Sequence, residues 1–189
     1  MTITNENDEA YANAAFINNS EEIVSEWTKK AEHFRVNKLE SGTAELDIPY
    51  GDSNRQKFDI FQPNTKPLGT VIFIHGGYWI DLDKSYWSHF ASGVLANGYR
   101  CVIPSYDLCP TVKISDITGQ IKNLVCYVLE KYDGMISLVG HSAGGHLVSR
   151  MISIDQWNIS KLRSDLLKRL HHVVAISPIA DLRPLLKTS

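Results

Sequence analysis

The sequence predicts an α/β fold, a mostly parallel sheet entered through an N-terminal antiparallel hairpin and covered by helices. Three observations predict it. Two alternating segments, Thr43 to Ile48 and Lys57 to Phe61, flank the turn residues Gly51-Asp52-Ser53-Asn54. Continuous apolar runs of strand length then alternate with segments of helical period. Glycine-rich turns close two of those runs, at His75-Gly76-Gly77 and at Gly140-His141-Ser142-Ala143-Gly144.

The elements follow in order. Residues 1–40 read as a polar helical arm. Ser20 is placed to cap a helix, with Glu21 and Glu22 in its first turn. Ile23, Trp27, Ala31 and Phe34 recur at helical spacing, so one face of the arm should lie on the domain. After the hairpin, Pro63 and Pro67 mark an exit loop. Thr70 to His75 is a strand apolar on both faces. Lys84 to Ala96 reads as a helix with Trp87, Phe90, Ala91, Val94 and Leu95 inward and Gly98 as its stop. Arg100 to Pro104 is a strand, and Ile114 to Tyr132 is a helix whose apolar face carries Ile114, Ile117, Ile121, Leu124, Val125 and Val128. Met135 to Val139 is a strand, Gly140 to Gly144 a tight turn and Ala143 to Ile154 a helix. Further helix is expected within residues 155–170, and Val173 to Ser177 is the last strand.

Composition narrows the function. The 189 residues suit a single domain, 1–189, and 43% of them are hydrophobic, which is globular composition. A net charge of −2 presents no basic face for nucleic acid. The apolar runs are too short to span a bilayer, and MTITNENDEA lacks the basic and apolar regions of a signal peptide. Three cysteines, Cys101, Cys109 and Cys126, without CxxC spacing, argue for reduced thiols in a cytoplasmic protein and against a disulfide framework or zinc. Asn18-Asn19-Ser20 and Asn158-Ile159-Ser160 match the glycosylation tripeptide, and without a secretory signal both read as chance. No metal or cofactor is expected.

Gly140-His141-Ser142-Ala143-Gly144 is G-x-S-x-G between a strand and a helix, the setting of a nucleophile elbow. Small residues two before and two after the serine let strand and helix approach while its hydroxyl stands above the sheet. Ser142 is the candidate nucleophile. A phosphate-binding turn, the alternative, would call for a lysine after the glycines, and none is there. His75-Gly76-Gly77 follows the third strand, where this fold places its other oxyanion donors. The expected donors are the backbone amides of Gly76, Gly77 and Ala143. His75 reads as a hydrogen-bonded structural residue rather than a base.

Together these residues resemble kynurenine formamidase (arylformamidase), of the α/β-hydrolase superfamily. His75-Gly76-Gly77-Tyr78-Trp79 matches that family's HGGxW motif, and Pro49-Tyr50-Gly51-Asp52 is similar to its V-P-Y-G-D. The elbow followed by His146-Leu147 resembles its G-H-S-A-G-x-H-L. Ser105 to Pro110 is similar to its Y-x-L/I-A-P turn, with Cys109 for alanine, and Ser177 to Pro184 to its S-G-x-x-D-L-x-P, with Pro178 for glycine. The resemblance runs from about Tyr11 to the last residue. It implies hydrolysis of N-formyl-L-kynurenine to L-kynurenine and formate in tryptophan breakdown, so the expected partner is a small aromatic formamide. A homodimer is compatible with it. Tyr78 and Trp79 either face that substrate or pack the loop.

The chain departs from the family at its end. The family's triad acid and histidine follow two strands beyond the present last one, and the fold expected here lacks those last strands and helices. Neither partner is assigned. His146 lies four residues into the elbow helix and should point away from the serine. His171 and His172 precede a strand at the end opposite the active site, His89 lies on a helix surface, and Asp181 reads as structural. The expectation is a chain inactive or nearly so by itself, and poorly soluble because its last strand becomes an edge. Two other readings stand beside the first: a general carboxylesterase of the hormone-sensitive-lipase type, and a non-catalytic hydrolase-like binding protein.

Overall fold

The computed structural model of the chain describes residues 6–153, 157 and 164–188. A short helix, α1 (Glu6–Ala10), and a 3₁₀ turn, Asn13–Phe16, precede the long α2 (Ser20–Glu40). The hairpin is β1 (Ala44–Pro49) and β2 (Lys57–Phe61). Then come β3 (Gly69–Ile74), α3 (Ala91–Ala96), β4 (Arg100–Pro104), α4 (Ile114–Lys131), β5 (Met135–His141), α5 (Ala143–Arg150), α6 (Ser164–Leu167) and β6 (Leu170–Ile176). A 3₁₀ turn, Pro184–Lys187, closes the described chain.

The six strands form one sheet in the order β1-β2-β4-β3-β5-β6. β1 with β2 and β2 with β4 are antiparallel; β4, β3, β5 and β6 run parallel. Alternation along the strands divides the core between the two faces. Ile72 and Ile74 of β3 join Val102, Ile136 and Leu138 on one face, under Ile117, Ile121, Leu124 and Val128 of α4 and Leu147 of α5. Phe73, one residue out of phase, joins Phe61, Cys101 and Ile103 on the other. There Trp27 and Phe34 of α2 pack with Trp87. The apolar face of the arm thus does lie on the domain, and Ala31 is fully buried. Each large side chain so buried contributes about 1.5–3 kcal/mol.

Several local expectations are corrected. The N-cap of α2 is Asn19, in the left-handed region at φ 58°, without a side-chain cap bond; Ser20 is the first helical residue. Asparagine tolerates that conformation better than most residues. The predicted helix over Lys84 to Ala96 is broken into two 3₁₀ turns, Lys84–Tyr86 and Ser88–Phe90, before α3. Asp83 tightens the first by accepting the Ser85 amide at 2.6 Å. Arg35 of α2 bonds the Ser85 carbonyl and the Ser88 hydroxyl, drawing the Ser85 carbonyl out of any helical ladder. Phe90 consequently ends exposed rather than inward. α5 stops at Arg150 instead of continuing to Ile154. Within 155–170 the described part holds α6 and the start of β6, while Asn158-Ile159-Ser160 lies outside the described residues.

β6 begins earlier than expected and takes in His171 and His172. The side chain of Arg169 bonds the carbonyls of Gly134 and Leu129, each at 2.8 Å, and that of Tyr132. That clamp sets the start of β6 beside β5, where the Ile136 amide meets the Arg169 carbonyl at 2.8 Å. β1 carries a bulge between Glu45 and Ile48. Its Asp47 has φ 57° and donates its amide to the buried Asp59 carboxylate at 3.0 Å. Lys84 completes the cluster at 2.7 Å from Asp59 and 2.9 Å from Asp47. Among the described residues, no helix is long and apolar enough to cross a membrane.

Candidate active site

β5 ends at His141 and α5 starts at Ala143, so the reversal falls on one residue. Ser142 takes φ 54° and ψ −118°, a conformation that costs on the order of 1–3 kcal/mol and persists only where its surroundings enforce it. Here they do. The Ser142 amide donates to Ile176 of β6 at 2.9 Å, and its carbonyl accepts from His146 at 3.1 Å and Ile179 at 3.4 Å. The spacing of the motif follows from contact distances. A Cβ on residue 140 would sit 2.1 Å from the Gly144 carbonyl oxygen, and one on residue 144 would sit 2.1 Å from that of Ile74. Only glycine fits either place.

The loop after β3 comes alongside. A Cβ on Gly76 would lie 3.0 Å from Cβ of Ser142, so bare backbone faces the serine. Gly77, Tyr78 and Trp79 are successively left-handed, with φ 107°, 48° and 60°. The Gly77 carbonyl ties the turn down by accepting from Ile80 at 2.9 Å and Asp81 at 3.0 Å. His75 is fully buried, and its Nδ1 donates to the Gly76 carbonyl at 2.6 Å. Burial pushes its pKa down to about 4, so the ring is neutral and supports the loop. Tyr106 stacks on it and bonds its carbonyl.

The two aromatic residues of the loop part ways. Trp79 is buried, with its ring edge-on to His146 at 5.3 Å, so it packs the core. Tyr78 lines the cleft and reaches the arm, donating its hydroxyl to the Tyr11 carbonyl at 3.0 Å. That cleft has a volume of about 760 Å³. Ser142, Gly76 and Gly77 line it together with Leu82, Trp87 and His141, and residues of the arm between Tyr11 and Trp27 supply the rest. Ala143 is buried at the first turn of α5, immediately beside Ser142.

Comparison with known proteins agrees with this geometry. Residues 58–188 match the BD-FAE family model. The chain belongs to the BD-FAE family. Its sheet order and elbow are those of the α/β-hydrolase fold. The BD-FAE chain is 31% identical to the kynurenine formamidase of Salmo salar over 147 residues, which are 76% of the chain and 48% of that protein. It is 30% identical to that of Danio rerio over 165 residues, 81% of the chain and 55% of the relative. It thus spans about half the length of these curated relatives. The crystal structure of a candidate thioesterase from Silicibacter sp. TM1040 superposes with a TM-score of 0.89 at 46% identity, over 97% of the chain and 68% of that protein.

Apart from His141, the histidine rings of the BD-FAE chain are engaged with other side chains or with backbone away from the serine hydroxyl. His146 meets Trp79; its Nδ1 is buried without a partner. His171 and His172 bond each other at the start of β6, opposite the end that carries Ser142. His33 bonds Asn37 on α2, and His89 packs on Phe90. His141 lines the cleft, its pKa lowered by burial, with its ring 6.1 Å from that of Trp87. Asp181 is exposed and forks onto Arg183 of its own turn, 2.6 Å at the closest. Among the described residues no group of three His, Cys, Asp or Glu is arranged to hold a metal.

Two features of the site escaped the sequence reading. The arm's apolar residues were assigned to packing, whereas Ile23 and Trp27 also line the cleft. His141 is read from the sequence only as part of the elbow motif, whereas it also lines the cleft. The helical spacing of Ile23 and Trp27 was the available signal, but it identifies an apolar face and not what that face covers.

Proposed function

We propose that the chain carries the nucleophile and oxyanion elements of a serine hydrolase acting on N-formyl-L-kynurenine. One observation supports this above all: Ser142 stands on a single-residue bend beside the glycine backbone of Gly76, in a cleft of substrate size. Ser142 Oγ attacks the formyl carbon, forming a C–O bond while the carbonyl π pair moves to oxygen. The amides of Gly76, Gly77 and Ala143 receive that charge, each worth roughly 3 kcal/mol in such sites. The C–N bond then breaks, the aryl amine leaves with a proton, and water releases formate from the serine ester. The kynurenine formamidases among the relatives support this substrate.

The serine proton needs an acceptor, and among the described residues no histidine ring is bonded to the Ser142 hydroxyl. Without a base, turnover in serine proteases falls by about 10⁶, with 10³–10⁴ over water retained. The chain alone is therefore a slow catalyst at best. Mass spectrometry after treatment of protein carrying the proton acceptor with a serine-directed phosphonate tests the nucleophile: an adduct on Ser142, absent in Ser142→Ala, is expected. No adduct on that folded protein, or equal labelling of the variant, sinks the reading.

A second reading is an esterase or thioesterase. The 46% identity with the candidate thioesterase favours it. Comparing hydrolysis of N-formyl-L-kynurenine with that of a short acyl ester and thioester, in protein carrying the proton acceptor, decides between them.

A further inference from the structure

The wall of the cleft opposite the oxyanion loop comes from residues that no motif marks. The Asn13–Phe16 turn and the first half of α2 bring Ile17, Ile23, Val24 and Trp27 to the same cleft as Ser142. Among the described residues, none that lines this cleft is Asp, Glu, Lys or Arg. Its imidazole, His141, is held toward the neutral form by burial. An ionised group entering such a space loses hydration and finds no countercharge, whereas a ring or acyl chain gains by burial.

Trp27 packs on Trp87, and a hydrogen bond ties the wall to the loop after β3. The Tyr78 hydroxyl bonds the Tyr11 carbonyl at 3.0 Å and Asn13 Oδ1 at 3.5 Å, spanning from the loop that carries Gly76 and Gly77 to the arm. Tyr78 holds this position through a left-handed φ of 48°, between two other left-handed residues. One side chain therefore links the loop directly to the start of the wall.

We propose that residues 11–27, latched by the Tyr78 hydroxyl, form the specificity wall of the site, which accepts the neutral ring or acyl chain of the substrate and excludes a charge carried on that part. This rests on Ser142 as the reacting group. Tyr78 is a positioning residue, and Trp27 and Ile17 determine specificity.

Isothermal titration of the unreactive Ser142→Ala chain with formanilide and with 4-formamidobenzoate tests the wall. Formanilide is expected to bind at least tenfold more tightly. Trp27→Ala should weaken formanilide about tenfold. Ile17→Asp, at an exposed position that tolerates substitution, should weaken it at least fivefold. Equal affinity for the two ligands, or unchanged affinity in both variants, overturns the proposal. Tyr78→Phe should speed amide hydrogen exchange of residues 11–27 at least fivefold and weaken formanilide; unchanged exchange overturns the latch. The phosphonate experiment is read separately. Selective binding without a Ser142 adduct removes the nucleophile and supports the wall, and an adduct without selectivity does the reverse.

Discussion

The rings of His75 and Tyr106 lie stacked, 9° from parallel with centroids 4.3 Å apart, while the Tyr106 hydroxyl donates to the His75 carbonyl at 2.9 Å. Both residues are fully buried, and together they hold the backbone that enters Gly76 and Gly77. Tyr106→Phe keeps the stack and removes only the hydroxyl. Urea unfolding should show a loss of about 1 kcal/mol, the usual worth of a buried neutral hydrogen bond.

His75 also sets a pH dependence. Its folded pKa of about 4 lies below the ordinary value of 6.5. Between those values the unfolded chain binds the proton and the folded chain does not, so stability rises with pH across that window. It is fully present above 6.5 and is lost as pH falls toward 4. The loss is about 2 to 3 kcal/mol by pH 4.5. Urea midpoints measured at pH 7.5 and 4.5 should differ more for the native chain than for His75→Gln, which lacks this titration.

The glycines of the site should separate by function. Gly144→Ala forces a Cβ to 2.1 Å from a backbone oxygen and should cost about 3 kcal/mol of stability. Gly76→Ala places a Cβ 3.0 Å from that of Ser142, which small shifts relieve. It should melt near the native temperature yet label with a phosphonate at least tenfold more slowly. Calorimetry and timed mass spectrometry read the two effects.

Lys84 offers a test away from the site. It pairs with Asp59, which is fully buried, and with Asp47. Lys84→Met leaves the Asp59 carboxylate without its cation and should cost about 3–5 kcal/mol. Adding Asp59→Asn should recover much of that loss. A double-mutant cycle in urea measures the coupling.

How far the sequence foretold this molecule depends on the range of the interactions involved. β2 and β4 have the predicted limits because their alternating or continuous apolar character is local. The elbow was legible because its glycines stand at fixed offsets from the serine: that at 140 answers to the Gly144 carbonyl four residues on, although that at 144 answers to Ile74 of the neighbouring strand. The break in the segment 84–96 was not, since Arg35 acts on it from some fifty residues away. Nor could Tyr78 and Trp79 be told apart, because a run of left-handed backbone decides which ring turns inward. The arm's share in the cleft rests on contacts between residues 11–27 and the loop after β3, which periodicity does not report.

The outer side of β6 has one more consequence. Among the described residues no strand pairs there, and Val174 and Ile176 remain nearly half exposed. The tip of this strand is tied to the bend through the Ile176 carbonyl and the Ser142 amide. A peptide adding in parallel register along that side would finish at the rim that carries the hydroxyl. The margin is thus an open template whose far end lies at the same rim as Ser142.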